Sequence, residues 1–348
     1  MPYNASDTER SARMIDVARL AGVSQQTVSR VVNNHDNVTP EVRERVEVAI
    51  RRLKYRRNGS ARALVTRRTH NLGIVSYGLA QFGPSLALTG IVDEARRSGY
   101  TTSLVALENV GAEPLRSALD HLVADSVDGI IVIAPIEAAL QSVESMSTGV
   151  PLVVFEPGAI VGSGNVGTDE IRGAALATRH LLDLGHATVH HLAGPFGWLG
   201  SAARLNGWRQ ELLNDRMHLP DPMIGDWTTR SGYAAGLRIA ADSTITAVFV
   251  ANDQMALGVI KALDACGVRV PEDVSIVGFD DVPESAFFRP ALTTVRIDFE
   301  AVGRLSVSTV IAAILDGTEL SAAQVDPEFV HRSSTAAPSV SRRRGTPP

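Results

Sequence analysis

Residues 14–33 read MIDVARLAGVSQQTVSRVVN, and their spacing predicts two short helices joined by a tight turn at Gly22. On the first, Ile15, Val17, Ala18 and Ala21 fall on neighbouring turns of one face, leaving Asp16 and Arg19 outside. Gly22 supplies the backbone freedom that a sharp inter-helix turn needs, and Val23 can plug the angle between the helices. Ser24 is a good N-cap for the second helix, on which Val28, Val31 and Val32 face the first. Gln25, Gln26, Ser29 and Arg30 are left on or near the outer face. Such side chains read base edges in a major groove, glutamine pairing with adenine and arginine with guanine.

The surrounding sequence extends this unit. Thr39-Pro40-Glu41 is a strong helix start, with Thr as N-cap, Pro at the first helical position and an acid in the first turn. Val42, Val46, Ala49, Ile50 and Leu53 then form one stripe of a third helix. From Arg51 to Arg68 there are eight Arg or Lys and no acid, a pattern suited to contacting phosphates. Within it Asn58 can cap a short helix, GSARALV, which at seven residues is marginal alone and needs a dimer partner or a groove to hold it. Leu64, an apolar residue amid cations, can wedge between base steps in a minor groove.

The 348 residues carry a formal charge of −5, which hides an asymmetry. Residues 1–70 hold 14 Arg or Lys against 7 acids, and the rest hold 19 against 31. A basic head on an acidic body implies that only the head meets a polyanion. One cysteine, Cys266, excludes an internal disulfide framework. The polar start MPYNASDTER has no signal-peptide core, and no apolar run approaches the ~20 residues that span a bilayer. A cytoplasmic protein without a membrane segment is expected.

From Asn71 the period changes. The β-branched runs LGIVSY, TTSLVAL, DGIIVIA, PLVVFE, NVGTDE, TVHHLAGP, MIGDW, TAVFVAND, VSIVGFDD and LTTVRIDF alternate with helical stretches. Strands interleaved with helices imply parallel sheets, and so many units in one body imply two of them. The expected fold is an all-α helix-turn-helix headpiece followed by a two-lobed, Rossmann-like α/β body. Its expected divisions are a headpiece over 1–57, a hinge over 58–70, a body over 71–333 and a disordered tail over 334–348. Within the body, residues 71–168 and 298–325 are assigned to the first lobe, and 169–297 and 326–333 to the second. A ligand belongs in the cleft at the carboxyl ends of the strands.

The stretches IDVARLAGVSQQTVSRVVNN and VTPEVRERVEVAIRRLKYRRNGSARAL resemble the DNA-binding head and hinge of the lactose-repressor (LacI/GalR) family, and the resemblance continues to about residue 333. One departure is Arg57, where the family commonly has proline before the hinge asparagine. The resemblance implies a periplasmic-binding-protein-like body, a homodimer and a pseudo-palindromic double-stranded DNA operator. It implies DNA contacts from Ser24, Gln25, Gln26, Thr27, Ser29, Arg30 and Asn33 in the head, and from Asn58, Ala61 and Leu64 in the hinge. It also implies a small sugar effector.

Strand-end residues support that implication in part. Asn252 and Asp280 close strand-like runs and offer an amide and a carboxylate to paired hydroxyls, while Trp227 offers a ring face to the C–H side of a sugar. Strand-end Asp and Asn also simply cap helices. In the family pattern Asn252, Trp227, Asp280, Phe299 and Arg204 match pocket positions, whereas Ala202 and Ile297 stand where the type member has an arginine and a polar residue. Trp198, Tyr77 and Phe82 are further candidate walls. Release of DNA by the ligand and tightening by it, as purine-responsive members use, both stay open. An enzyme or a transport binding protein is disfavoured: no credible catalytic set is present and the chain opens with a DNA-reading head.

Other signals carry no site. Gly162 to Gly167 formally match GxGxxG but neither follow a strand nor open a helix, so no dinucleotide cofactor is expected. His190 and His191 point to opposite faces of a strand and, with His186, make no metal centre. The tail lacks a leucine heptad for a tetramer-forming coil.

Overall fold

The computed structural model describes residues 12–32, 37–55, 68–109, 111–144, 146, 148–157, 165–317, 320, 322–339. They form two compact units, one within Met1–Thr69 and one within His70–Pro348.

The first unit is three helices: α1 (Met14–Ala21), α2 (Gln25–Val32) and α3 (Pro40–Arg52). Gly22 ends α1 in the left-handed region, φ +65°, and its N–H returns to the Ala18 and Arg19 carbonyls. Ser24 Oγ accepts from the Thr27 amide at 3.1 Å, the cap that starts α2. Val17, Ala18, Ala21, Val28, Val31, Val46 and Ala49 make the buried core. Ile15 does not join them as its spacing predicts; it is 44% exposed, while Met14 from the same turn packs against the core. Thr39 adopts the extended N-cap backbone of α3, but its side chain makes no cap hydrogen bond there.

The second unit has two lobes. In the first, strands β1 (Asn71–Tyr77), β2 (Thr101–Leu107), β3 (Gly129–Ile133), β4 (Leu152–Pro157), β5 (Asn165–Thr168) and β11 (Ala323–Val325) form a parallel sheet in the order β11-β5-β4-β3-β1-β2. Helices α4 (Phe82–Arg97), α5 (Ala112–Ala124), α6 (Glu137–Glu144) and α11 (Phe299–Asp316) belong with it. The second lobe has β6 (His190–Ala193), β7 (Met223–Ile224), β8 (Ala247–Val250) and β9 (Ser275–Val277), parallel in the order β7-β6-β8-β9. Helices α7 (Glu170–Asp183), α8 (Leu199–Asn214), α9 (Thr229–Ala241) and α10 (Asp253–Ala265) pack on this sheet. Bridges from Val277 to Thr293 and from Asp280 to Arg296 continue it to β10 (Thr294–Arg296), which pairs antiparallel with β12 (Glu328–Val330). The chain therefore passes between lobes three times, after Thr168, after Arg296 and after Val325.

Three features differ from the sequence reading. Helix α4 begins at Phe82, well ahead of the helical stretch IVDEARRSGY that separates the LGIVSY and TTSLVAL runs, because Pro84 sits in its first turn, where no intrahelical donor is needed. Helix α6 and the three-residue strands β11 and β12 lie outside the predicted elements, being too short to show a period. The predicted tail from 334 is the third: residues 334–339 are part of the second lobe. Ser334 is fully buried, its Oγ donating to the Ile276 carbonyl at 2.6 Å and accepting from the Thr293 amide at 2.8 Å, and the Ala336 amide donates to Ser275 Oγ at 3.0 Å. Small polar residues fit there because they satisfy the outer side of β9. Among the described residues no helix is long and apolar enough to cross a membrane.

Helices α9 and α10 meet backbone to backbone. A Cβ on Gly258 would lie 2.1 Å from the Thr229 carbonyl oxygen, and one on Gly232 lies as close to that of Met255. Gly258→Ala should therefore lower the unfolding free energy of the body by about 2 kcal/mol in urea titration, by overpacking. An open position would instead gain stability of about 1 kcal/mol from the better helix former, so the sign of the change decides.

Candidate nucleic-acid surface and effector cleft

On the outer face of α2, Gln25, Gln26 and Arg30 are exposed while Thr27 and Ser29 are half-buried. Thr27 Oγ1 and Ser24 Oγ lie 2.9 Å apart. Arg30 has no acidic partner among the described residues, so its guanidinium is available. The valines behind it fix the helix, and the polar side chains stand in i, i+4 pairs on the opposite side, the form in which one helix presents to a groove. Asn33, Asn58, Ala61 and Leu64 lie outside the described residues.

The cleft lies between the lobes of the body. Phe82, at the start of α4, Phe155 on β4 and Phe299 at the start of α11 meet edge to face, at 6.3 and 6.4 Å between ring centres, and wall it from the first lobe. The second lobe brings Trp198, Arg204, Trp227, Asn252 and Asp280, together with Glu170. These positions follow from the fold: Asn252 follows β8, Asp280 follows β9, and Glu170 opens α7 just beyond β5. Loops at strand carboxyl ends carry the polar groups, as open parallel sheets require.

Arg204 is the hub. Only 7% of its side chain is exposed, yet every nitrogen is engaged. Nε donates to Glu170 Oε2 at 2.8 Å, Nη2 to Asp280 Oδ1 at 3.1 Å, and Nη1 to the Ala251 carbonyl. Its Cζ lies 3.9 Å from the Phe279 ring centre and 5.5 Å from that of Trp227. Burial opposes its charge, but Glu170 and Asp280 outweigh that and hold the guanidinium protonated more firmly than usual. Burial pushes the Asp280 carboxyl up to about 6, Arg204 opposing and Glu170 adding to the rise. Asp280 itself adopts φ +97°, a left-handed backbone held by its amide bond to the Val295 carbonyl.

Asn252 has two tasks. Its Oδ1 accepts from the Met255 amide at 3.0 Å, capping α10, while Nδ2 donates to the Trp227 carbonyl at 3.1 Å. Trp227 sits at φ +72° and its indole Nε1 is buried with no partner among the described residues. Trp198 packs T-shaped on Trp227 at 5.8 Å. Its segment also joins the lobes: the Leu199 amide donates to the Pro135 carbonyl and the Glu137 amide to that of Gly197, both at 3.0 Å.

Seven of the eight expected ligand residues thus line one cavity: Phe82, Trp198, Arg204, Trp227, Asn252, Asp280 and Phe299. Tyr77 does not; its ring stands 6.0 Å from Trp198, outside the lining. Phe155, Gln81, Gln254 and Glu170 line the cleft without having been singled out in the sequence. Asp281, beside Asp280, turns away and pairs with Arg296 at 2.8 Å and Arg332 at 2.6 Å. Asp253 turns inward, taking bonds from Ser285, Thr294 and the Val282 amide, and burial pushes it up to about 7. His191 is stacked on Phe249 and Trp208 in the core, where burial pushes it down to about 3, and His190 faces the other way, half-buried.

A helix-turn-helix unit followed by a two-lobed α/β body with a polar and aromatic cleft defines a class, the ligand-regulated DNA-binding proteins. Residues 13–58 match the pattern of bacterial regulatory proteins of the lacI family, and residues 178–335 that of the periplasmic binding protein-like domain. The chain is 33% identical over 328 residues to the lactose operon repressor of Escherichia coli K12, covering 93% of this chain and 91% of that one. It is 33% identical over 335 residues to the transcriptional repressor PurR of Pasteurella multocida, covering 93% and 98%. Among solved structures, the lac repressor dimer bound to operator and the anti-inducer ONPF superposes with a TM-score of 0.86 at 32% identity, over 94% of this chain and 100% of that one. The transcriptional regulator CelR in complex with cellobiose gives 0.68 at 30% identity, over 93% and 99%. The chain belongs to the lacI family of bacterial regulatory proteins.

The two tasks of Asn252 can be separated by substitution. Asn252→Ala loses the cap and should cost about 1 kcal/mol of stability in urea. Asn252→Asp keeps the cap acceptor, loses the donor to Trp227, and should recover most of that stability while still weakening any ligand that relies on Trp227. Equal stability loss in both variants would mean that the cap is not what Asn252 contributes.

Proposed function

We propose that this protein is a transcriptional repressor that binds a pseudo-palindromic operator as a dimer in the cytoplasm and releases it when a small saccharide fills the cleft. The observation that carries this reading is the convergence of Arg204, Asn252 and Asp280 beneath Trp227, opposite a wall of three phenylalanines. Paired polar groups take vicinal hydroxyls, and aromatic faces take the apolar side of a pyranose. Exposed apolar side chains on the body, among them Val92, Leu104, Tyr233, Leu237 and Leu257, support a second copy as partner. In this reading Gln25, Gln26, Ser29 and Arg30 read base edges, and the basic segment over 51–68 contacts phosphates. Ligand-driven change in the body then alters how two heads are held on their half-sites, a coupling for which roughly 1–3 kcal/mol is typical.

Two variants test the division of labour by operator titration at fixed salt. Arg30→Ala should weaken operator binding about tenfold or more, the loss of one bidentate base contact, while sugar affinity stays as it was. Asp280→Asn should leave operator affinity in place and weaken sugar binding roughly tenfold to a hundredfold. Because Asp280 loses its acceptor charge as pH falls through about 6, wild-type sugar affinity should drop on acidification and that of Asp280→Asn should stay flat across the same range. A ligand that tightens operator binding would instead establish the corepressor mode, and unchanged affinities in both variants would contradict the assignment.

A further inference from the structure

Deepening this saccharide reading, on which it rests, we infer that the cleft takes an uncharged ligand and that Glu170 is the residue that makes it so. Two features of the cleft are the ones proteins use to hold anions: a buried arginine, and the N-terminal end of a 16-residue helix, α8, with a glycine in its first turn. The arginine is already taken by the protein's own carboxylates, and one of them lies against the helix end. Glu170 Oε2 takes the bond from Arg204 Nε at 2.8 Å and lies where a Cβ on Gly200, the second residue of α8, would come within 2.6 Å of it. Its other oxygen accepts from Thr168 Oγ1 at 3.2 Å, so the carboxylate is fixed from both sides and is only 1% exposed. Asp280 Oδ1 takes the bond from Arg204 Nη2 at 3.1 Å.

The charge balance follows. Arg204 is the one cation among the described residues that line the cleft, and it faces Glu170 and Asp280, with Asp253 buried behind. A phosphate ester brings a charge of about −1.5 to −2 into a space whose lining is already net negative. It would also find all three guanidinium nitrogens engaged and the Glu170 carboxylate lying against the start of α8. Hydroxyl groups meet no such obstacle: they can donate to the carboxylates and accept from the unpartnered Trp227 Nε1. Glu170 is thus a specificity residue, an internal anion in the place where a ligand phosphate would otherwise sit.

The test is a thermal-shift and calorimetric titration of the full-length protein. The probes are glucose, galactose and ribose, each beside its terminal phosphate ester, with glucuronate, galacturonate and inorganic phosphate added. The expected result is that uncharged members raise the melting temperature and every charged counterpart binds at least a hundredfold more weakly. In Glu170→Gln, which keeps an acceptor for Arg204, inorganic phosphate should stabilise saturably against chloride at equal ionic strength, as it does not in wild type. A phosphate ester or uronate that matches its neutral parent in wild type would overturn the exclusion, whether or not the variant folds. A folded Glu170→Gln that still rejects phosphate would overturn the role given to Glu170. A panel in which no member binds, charged or uncharged, would overturn the saccharide reading itself.

Discussion

A single buried guanidinium holds the cleft together. Arg204 reaches from α8 to Glu170 at the head of α7, to Asp280 beyond β9 and to the Ala251 carbonyl beyond β8, so four separate segments of chain depend on one side chain. Withdrawing such a charge from water is costly, and it is tolerated here because each nitrogen has a partner and the Phe279 and Trp227 rings lie close to it. Removing one partner from a buried pair costs roughly 3–5 kcal/mol, since the survivor is left unpaired. The arrangement therefore fixes positions more than it adds stability. It sets where Asp280 stands and keeps Trp227 over the site.

The two walls differ in chemistry. The second lobe supplies the charged groups with Asn252 and Gln254, and the first supplies Gln81 and the rings of Phe82, Phe155 and Phe299. A bound molecule must satisfy the polar side and present carbon to the other, which only a closed pair of lobes can offer at once. The backbone bonds between 135–137 and 197–199 tie the lobes at one edge of the cleft, with Trp198 beside them. The same segment therefore touches the ligand space and the seam between lobes. A ligand there acts on the relative placement of the lobes through direct contact, with no remote pathway required.

The head was legible residue by residue because a helix pair this small has few ways to bury its valines. Val17, Ala18 and Ala21 on α1, Val28 and Val31 on α2, and Val46 and Ala49 on α3 each fall at helical spacing within their own helix, and what is left over is the polar face. The alternation of strands and helices declared the body for the same reason, while α6, β11 and β12 were too short to declare themselves. The cleft was less legible. Asn252 and Asp280 could be noticed as strand-end polar residues, but that position serves helix caps equally well, and Asn252 does cap α10. Glu170 gave no signal, since an acid in the first turn of a helix is ordinary; only the fold shows that this turn faces Arg204 from α8, 34 residues on. The segment after residue 333 misled in the opposite direction. Its Ser, Pro and Arg composition reads as a loose tail, yet the small groups of residues 334–336 complete the outer side of β9, and 340–348 lie outside the described residues.

The central claim is that occupancy of the cleft and release of operator are one event. Of the three tryptophans, Trp198 and Trp227 line the cleft and Trp208 is sealed in the core, so intrinsic fluorescence reports the cleft. The decisive measurement titrates sugar into the protein–operator complex while recording tryptophan emission and the anisotropy of labelled operator together. The account predicts that both signals change with the same midpoint. Operator released with no change at the tryptophans, or a saturated tryptophan change with operator still bound, would contradict it.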